Sequence, residues 1–148
     1  MTEFGFYHLR KFPLERALPR LLEKAVERGH RVLVVAESDE RVAQLDAALW
    51  TYDPGAFLPH GTLADGNALR QPILIAASPD NRNDADVLVL LDGAEVADVT
   101  PFARCLDLFD GNDDGQVARA RERWTRRKAE GHPLAYWRQD DQGGWSKE

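Results

Sequence analysis

Twelve residues, Val117 to Lys128, carry Arg119, Arg121, Arg123, Arg126, Arg127 and Lys128 against a single acid, Glu122. At 100° per residue, Val117, Arg121, Trp124 and Lys128 fall on one helical stripe, with Arg127 at its margin and Thr125 on the other edge. A guanidinium can fork onto a carboxylate, an indole can wall an apolar pocket and an ammonium attracts acidic chain. The stripe therefore suits a peptide that ends in acidic residues, an apolar side chain and a free carboxylate. The same residues also fit a solvated basic face with Trp124 in the core, although the helix has few aliphatics to bury, or a single-strand binder that stacks bases on Trp124. A second group, Trp50, Phe57, Pro59 and His60, places two large aromatics where a helix ends and a loop begins. Such a group either completes a core or forms an apolar patch that anchors an interface.

Catalytic signatures are missing from the sequence. The first strand runs into Arg10-Lys11-Phe12-Pro13-Leu14, where a dinucleotide site would need glycines so that backbone amides can approach a pyrophosphate. No GxxxxGK[ST] motif supplies a phosphate cradle, and no GxSxG elbow presents a nucleophile. His8, His30, His60 and His132 are scattered, without HExxH or Cys/His zinc spacing, so neither a metal nor another cofactor is expected. Asp110-Gly111-Asn112-Asp113-Asp114-Gly115 lacks the ligand order and closing glutamate of a calcium loop and reads as a solvated turn before a helix. The lone Cys105, inside Arg104-Cys105-Leu106-Asp107-Leu108, reads as a buried strand residue and not a nucleophile.

The elements that would position these groups alternate along the chain. Phe6 to Leu9 reads as a short strand, followed by a helix carrying Leu14, Leu18, Leu21, Leu22, Ala25 and Val26 on one face and closed by Gly29. Pro19 predicts either a helix start near Ala17 or an irregular first turn. Arg31 to Ala36 is a strand covered on both faces. Ser38 then caps a second helix with Asp39 and Glu40 in its first turn, and Val42, Leu45 and Leu49 line its inner face up to Trp50. Further buried strands are expected at Pro72 to Ala77, Asp86 to Leu91 and Arg104 to Phe109, then the basic helix and the apolar stretch Leu134-Ala135-Tyr136-Trp137. Gly61 to Arg70 reads as a mobile loop and 139–148, with Gly143-Gly144, as a loose C-terminal tail. This order predicts a three-layer α/β fold with a largely parallel, nucleotide-binding-like (Rossmann-like) sheet and no glycine-rich phosphate loop.

The 148 residues are 43% hydrophobic and 30% charged, which suits one domain spanning 1–148 with a core that needs no disulfide or metal staple. No apolar run approaches a membrane span, no leader pattern opens the chain, and a single thiol suits a reducing cytoplasm. The net charge of −6 opposes a bulk grip on nucleic acid or acidic membrane. It is unevenly spread: residues 1–114 hold 11 basic against 20 acidic side chains (−9), and 115–148 hold 8 against 5 (+3).

Taken in order, Ala48-Leu49-Trp50, Ala56-Phe57-Leu58-Pro59-His60, Gln71-Pro72-Ile73 and Ala120-Arg121-Glu122-Arg123-Trp124 running on to Gly131 resemble the chi subunit of bacterial DNA polymerase III. The resemblance spans the whole chain and implies a non-catalytic accessory subunit of the clamp-loader assembly that acts in DNA replication. It implies binding to the acidic C-terminal tail of single-stranded-DNA-binding protein through Arg121, Trp124 and Lys128, with Val117 and Thr125 standing where better-known relatives carry lysine. It also implies that the region of Trp50, Phe57, Pro59 and His60 faces the psi subunit, or another clamp-loader subunit or a helicase, and that DNA is met only indirectly. The reading left open beside it is a small α/β enzyme or nucleotide-ligand-binding domain.

Overall fold

The computed structural model describes residues 2–52 and 58–148. Among these residues eight strands and three α-helices follow in the order β1 (Glu3–Leu9), α1 (Leu14–Glu27), β2 (Val32–Val35), α2 (Asp39–Thr51), β3 (Gly61–Thr62), β4 (Ile73–Ala76), β5 (Val87–Leu91), β6 (Arg104–Asp110), α3 (Asp114–Ala129), β7 (Leu134–Gln139) and β8 (Trp145–Lys147). They form one sheet in the order β3-β4-β2-β5-β6-β1-β7-β8. Every neighbouring pair is parallel except β7 and β8.

The run Val32-Leu33-Val34-Val35 shows why the sheet is covered on both sides. Val32 and Val34 join Ile73, Ile75, Val87 and Val89 beneath α1 and α2, whereas Leu33 and Val35 join Leu74, Leu88 and Leu90 on the α3 face. Alternate side chains of a strand point to opposite faces, so a continuous β-branched run needs cover on both. The result is a mixed α/β structure compatible with the expected three layers.

Local chemistry sets the helix starts. Ser38 Oγ accepts the Arg41 N–H at 3.1 Å, with Asp39 and Glu40 in the first turn of α2. Arg41 then ties that turn to Glu15 of α1 at 2.6 Å and to Asp92, just beyond β5, at 2.9 Å. Ser38→Ala should lower stability by about 1 kcal/mol, read as a shifted denaturation midpoint with an unchanged denaturant slope; an unmoved midpoint would deny the cap its part.

Three expectations give way. The first helix starts at Leu14 and runs through the buried Pro19. Pro19 has no N–H for the Glu15 carbonyl, and burial of Ala17, Leu18 and Leu22 around it outweighs that lost bond. Residues 61–70, expected as a loop, hold the edge strand β3 and two 3₁₀ turns, the first closed by a capping box between Thr62 and Asp65.

Residues 139–148 are not a loose tail. Gln139 is fully buried, and its Oε1 accepts the N–H groups of Arg10 and Phe12 at 2.9 and 3.0 Å. The chain then turns through Gly143, at φ +85°, where a Cβ would stand 2.5 Å from the Phe12 ring. It returns as β8, with Trp145 edge-on to Tyr7 at 5.0 Å.

Candidate functional site

Helix α3 starts where Asp113 accepts the Gly115 and Gln116 N–H groups at 2.9 and 3.1 Å. The Asp110–Gly115 segment is thus the turn and cap of that helix, as its composition suggested. Two of the helix's cations turn inward. Arg123 forks onto Asp107 of β6 at 2.7 and 2.9 Å in a buried bidentate pair. Arg127 is also buried, over the Phe4 ring at 4.9 Å and near the Val96 carbonyl at 3.3 Å, with Glu130 at 3.1 Å. Arg127 therefore stands behind the stripe and not at its accessible margin. Arg126 pairs with Glu95.

What remains outward is the predicted stripe. Arg121, Thr125 and Lys128 are exposed, and Val117 and Trp124 are half-buried between them. Among the described residues neither Arg121 nor Lys128 has an acidic side chain within ion-pair distance. Thr125 spends its hydroxyl on the Arg121 carbonyl at 3.0 Å. Trp124 rests edge-on against Phe6 of β1, centroids 5.4 Å apart, and against Tyr136 of β7 at 5.9 Å. One edge of the indole thus belongs to the core and the rest stays open between two unpaired cations.

The structure adds a floor that the helix alone could not reveal. Tyr136 lies beside Phe6 in the β1–β7 register, and its hydroxyl is 2.6 Å from His8 Nδ1. The His8 ring fits against the chain because residue 111 is glycine: a Cβ there would stand 2.0 Å from His8 Nε2 and 2.5 Å from the Leu9 carbonyl oxygen. Burial, and then the charges of Arg138, Arg10 and Arg121, lower the His8 pKa against an opposing pull from Glu148. Burial raises the Tyr136 pKa, although Arg138 and Arg121 pull against it. Both shifts place Arg121 in the electrostatic reach of this pair. The sequence signal was the alternation in Leu134-Ala135-Tyr136-Trp137, which sends Tyr136 to the α3 face and Trp137 to the other.

The second constellation is partly assembled. Trp50 is 55% exposed and lies over the His60 ring at 4.6 Å. The His60 side chain is buried, with Nδ1 2.7 Å from the Leu58 carbonyl and Nε2 3.0 Å from Asp46 Oδ1 without the geometry of a hydrogen bond. His60 therefore backs Trp50 from beneath and is not itself on the surface. Pro59 is half-buried, and Phe57 lies outside the described residues. Trp50, Pro59 and His60 sit by β3, five strand spacings from β1, about 24 Å along the sheet.

Elsewhere, burial pushes the Cys105 thiol well above its ordinary pKa, which suits an inert core cysteine. Among the described residues no group of three or more His, Cys, Asp or Glu side chains could hold a metal, and no helix is long and apolar enough to cross a membrane.

Comparison with known proteins decides the family. The model described as "DNA polymerase III chi subunit, HolC" matches residues 1–135. The chain belongs to the DNA polymerase III chi subunit family. It is 32% identical to the DNA polymerase III subunit chi of Escherichia coli over 123 residues, 78% of this chain and 82% of that protein. The Pseudomonas aeruginosa subunit chi is 29% identical over 137 residues, 90% of this chain and 94% of that one. A probable subunit chi from Rickettsia prowazekii is 28% identical over 109 residues, 74% of this chain and 66% of the relative. Membership makes this chain a replication accessory subunit of DNA polymerase III. The family match stops inside β7, so Tyr136, Trp137 and all of β8 lie beyond it.

Proposed function

We propose that this subunit tethers the replicase to protein-coated single-stranded DNA by holding the acidic C-terminal tail of single-stranded-DNA-binding protein against α3, with no reaction of its own. The observation that carries this reading is the half-buried Trp124 between Arg121 and Lys128, two exposed cations without acidic partners among the described residues. Arg121 forks onto the terminal carboxylate, Trp124 and Val117 wall the terminal apolar side chain, and Lys128 meets the acidic stretch. A second weak attachment raises the local concentration of polymerase at its template, which is all a tether must do. The setting is cytoplasmic, and DNA is reached through its coat protein. Gel filtration of the chain with whole single-stranded-DNA-binding protein tests the reading: co-elution is expected with the intact coat protein and none after removal of its last residues, whereas co-elution with the truncated form contradicts it.

The Trp50 surface serves the other connection, to a psi subunit, another clamp-loader subunit or a helicase. Trp50 is over half exposed, so Trp50→Ala should cost less than about 1 kcal/mol of stability and yet abolish binding of that partner. Loss of the fold in this variant, or full retention of the partner in a pull-down, would return Trp50 to a purely structural part.

The alternative of a ligand-binding α/β enzyme has a place in the fold, a cleft of about 350 Å³ at the carboxyl ends of β1 and β6, lined by Arg10, Lys11, Arg41 and Asp92. That is where open α/β sheets hold their ligands. Arg41 is already held by Glu15 and Asp92, and Arg10 lies 3.7 Å from Asp141, which leaves Lys11 as its cation without an ion pair among the described residues. A concentration-dependent rise in Tm with one nucleotide would favour this reading over the tether.

A further inference from the structure

On the face that α1 and α2 cover, Leu14, Ala17, Leu18 and Leu22 of α1 pack with Leu9 and Leu108 at the carboxyl ends of β1 and β6, whereas the β7–β8 hairpin beyond them carries Trp137 and Trp145. Between α1 and that hairpin lies a groove of about 710 Å³. Its floor is aromatic: Tyr7 lies parallel to Trp137 at 6.2 Å and 11°, and edge-on to Trp145 at 5.0 Å. Trp137 and Trp145 are half-buried.

The wall contributed by α1 is a row of charge. Arg20, Lys24 and Arg28 recur at intervals of four, so they stand one above another along the helix, beside the half-buried Leu21 and Ala25. Arg104 stands at the far side of the same groove. None of these four cations has an acidic side chain within 4 Å among the described residues. Asp140, the acid that lines the groove, accepts the N–H groups of Gln142 and Gly144 at 2.9 and 2.8 Å. Four cations thus line an apolar floor on a chain whose net charge is negative.

We infer that this groove is the seat of one amphipathic α-helix from a partner protein, its apolar face on Tyr7, Trp137 and Trp145 and its flank carrying carboxylates against Arg20, Lys24 and Arg28. The strands that carry the floor, β1, β7 and β8, span two spacings, about 10 Å, close to the 10 to 12 Å diameter of a helix. The four-residue rhythm of the cations matches acids repeated on a neighbouring helix. The seat is independent of the tail site, because it lies on the opposite face of the sheet, and two of its three floor aromatics, Trp137 and Trp145, lie beyond the family match.

The test is selection of a helical peptide library, displayed internally so that no carboxyl terminus is free, against the full chain. Enrichment of sequences with apolar residues at helical spacing and Asp or Glu along one flank is expected. Their affinity should fall at least tenfold in the Lys24→Glu/Arg28→Glu variant and in Trp145→Ala, and stay unchanged in Arg121→Ala. Circular dichroism melting confirms that each variant is folded, and Lys24→Glu/Arg28→Glu alters only exposed positions. Failure to enrich acidic helices, or binding indifferent to Lys24→Glu/Arg28→Glu, would overturn the inference. So would tight binding of a twenty-residue oligothymidylate lost in that same variant, or sedimentation showing that a second copy of the chain fills the groove.

Discussion

Arg121→Ala will weaken binding of an acidic tail peptide by about 1 to 3 kcal/mol, roughly five- to 150-fold, and leave the melting temperature unchanged. The size follows from the bond type: a guanidinium on a carboxylate makes two charge-assisted hydrogen bonds, each stronger than a neutral one. The stability half follows from the structure, since the Arg121 side chain is exposed and no hydrogen bond or ion pair ties it to another described residue. Lys128→Ala will cost less, because a mobile ammonium in water attracts without a fixed geometry, and its share will vanish first as salt rises. Titrations of each variant by fluorescence anisotropy separate the two roles. Equal losses for Arg121→Ala and Lys128→Ala at high salt would mean a diffuse electrostatic grip with no carboxylate fork.

The largest effect on stability is expected at Asp107→Ala, about 3 to 5 kcal/mol. Asp107 and Arg123 have side chains only 4% and 7% exposed and bond each other twice. Burial pushes the Asp107 carboxyl above its ordinary pKa while the Arg123 fork pulls against it, so the pair sits between desolvation and attraction. Removing the acid alone strands a buried guanidinium, whereas replacing both by apolar residues of matching volume removes the penalty together with the pair. Asp107→Leu/Arg123→Met should therefore melt much closer to the parent than Asp107→Ala does, by chemical denaturation. A single variant no less stable than the double one would show that the pair does not pin α3 to the sheet. Because Arg123 directly precedes Trp124 on the same helix, loss of this pair should also weaken tail binding without touching the tail.

The buried strands were legible because Arg31 to Ala36, Pro72 to Ala77 and Asp86 to Leu91 are continuous apolar runs, and such runs have few other solutions in a chain of this size. The stripe on α3 was legible because residues three and four apart share a face. The direction in which each arginine points was not: Arg123 and Arg127 look as solvated as Arg121 in one dimension. The hint lay elsewhere, in Asp107 within the strand run Arg104 to Phe109, since an acid in a strand covered on both faces needs a buried cation. The C-terminal hairpin was hidden by the weight given to Gly143-Gly144 as a marker of looseness. The same glycines between Trp137 and Trp145 also permit a turn that pairs two aromatic strands. Tyr136, and with it the floor beneath Trp124, became visible only once the β1–β7 register placed it beside Phe6.

The measurement closest to the central claim is an anisotropy titration of a labelled acidic peptide ending in Ile-Pro-Phe, at two salt concentrations, beside the same peptide amidated at its C-terminus. Saturable binding that weakens with salt and is lost on amidation is the predicted result, because the fork of Arg121 requires a terminal carboxylate and Lys128 requires acids. Equal binding of the free and amidated peptides, or no binding at either salt, would contradict the tether.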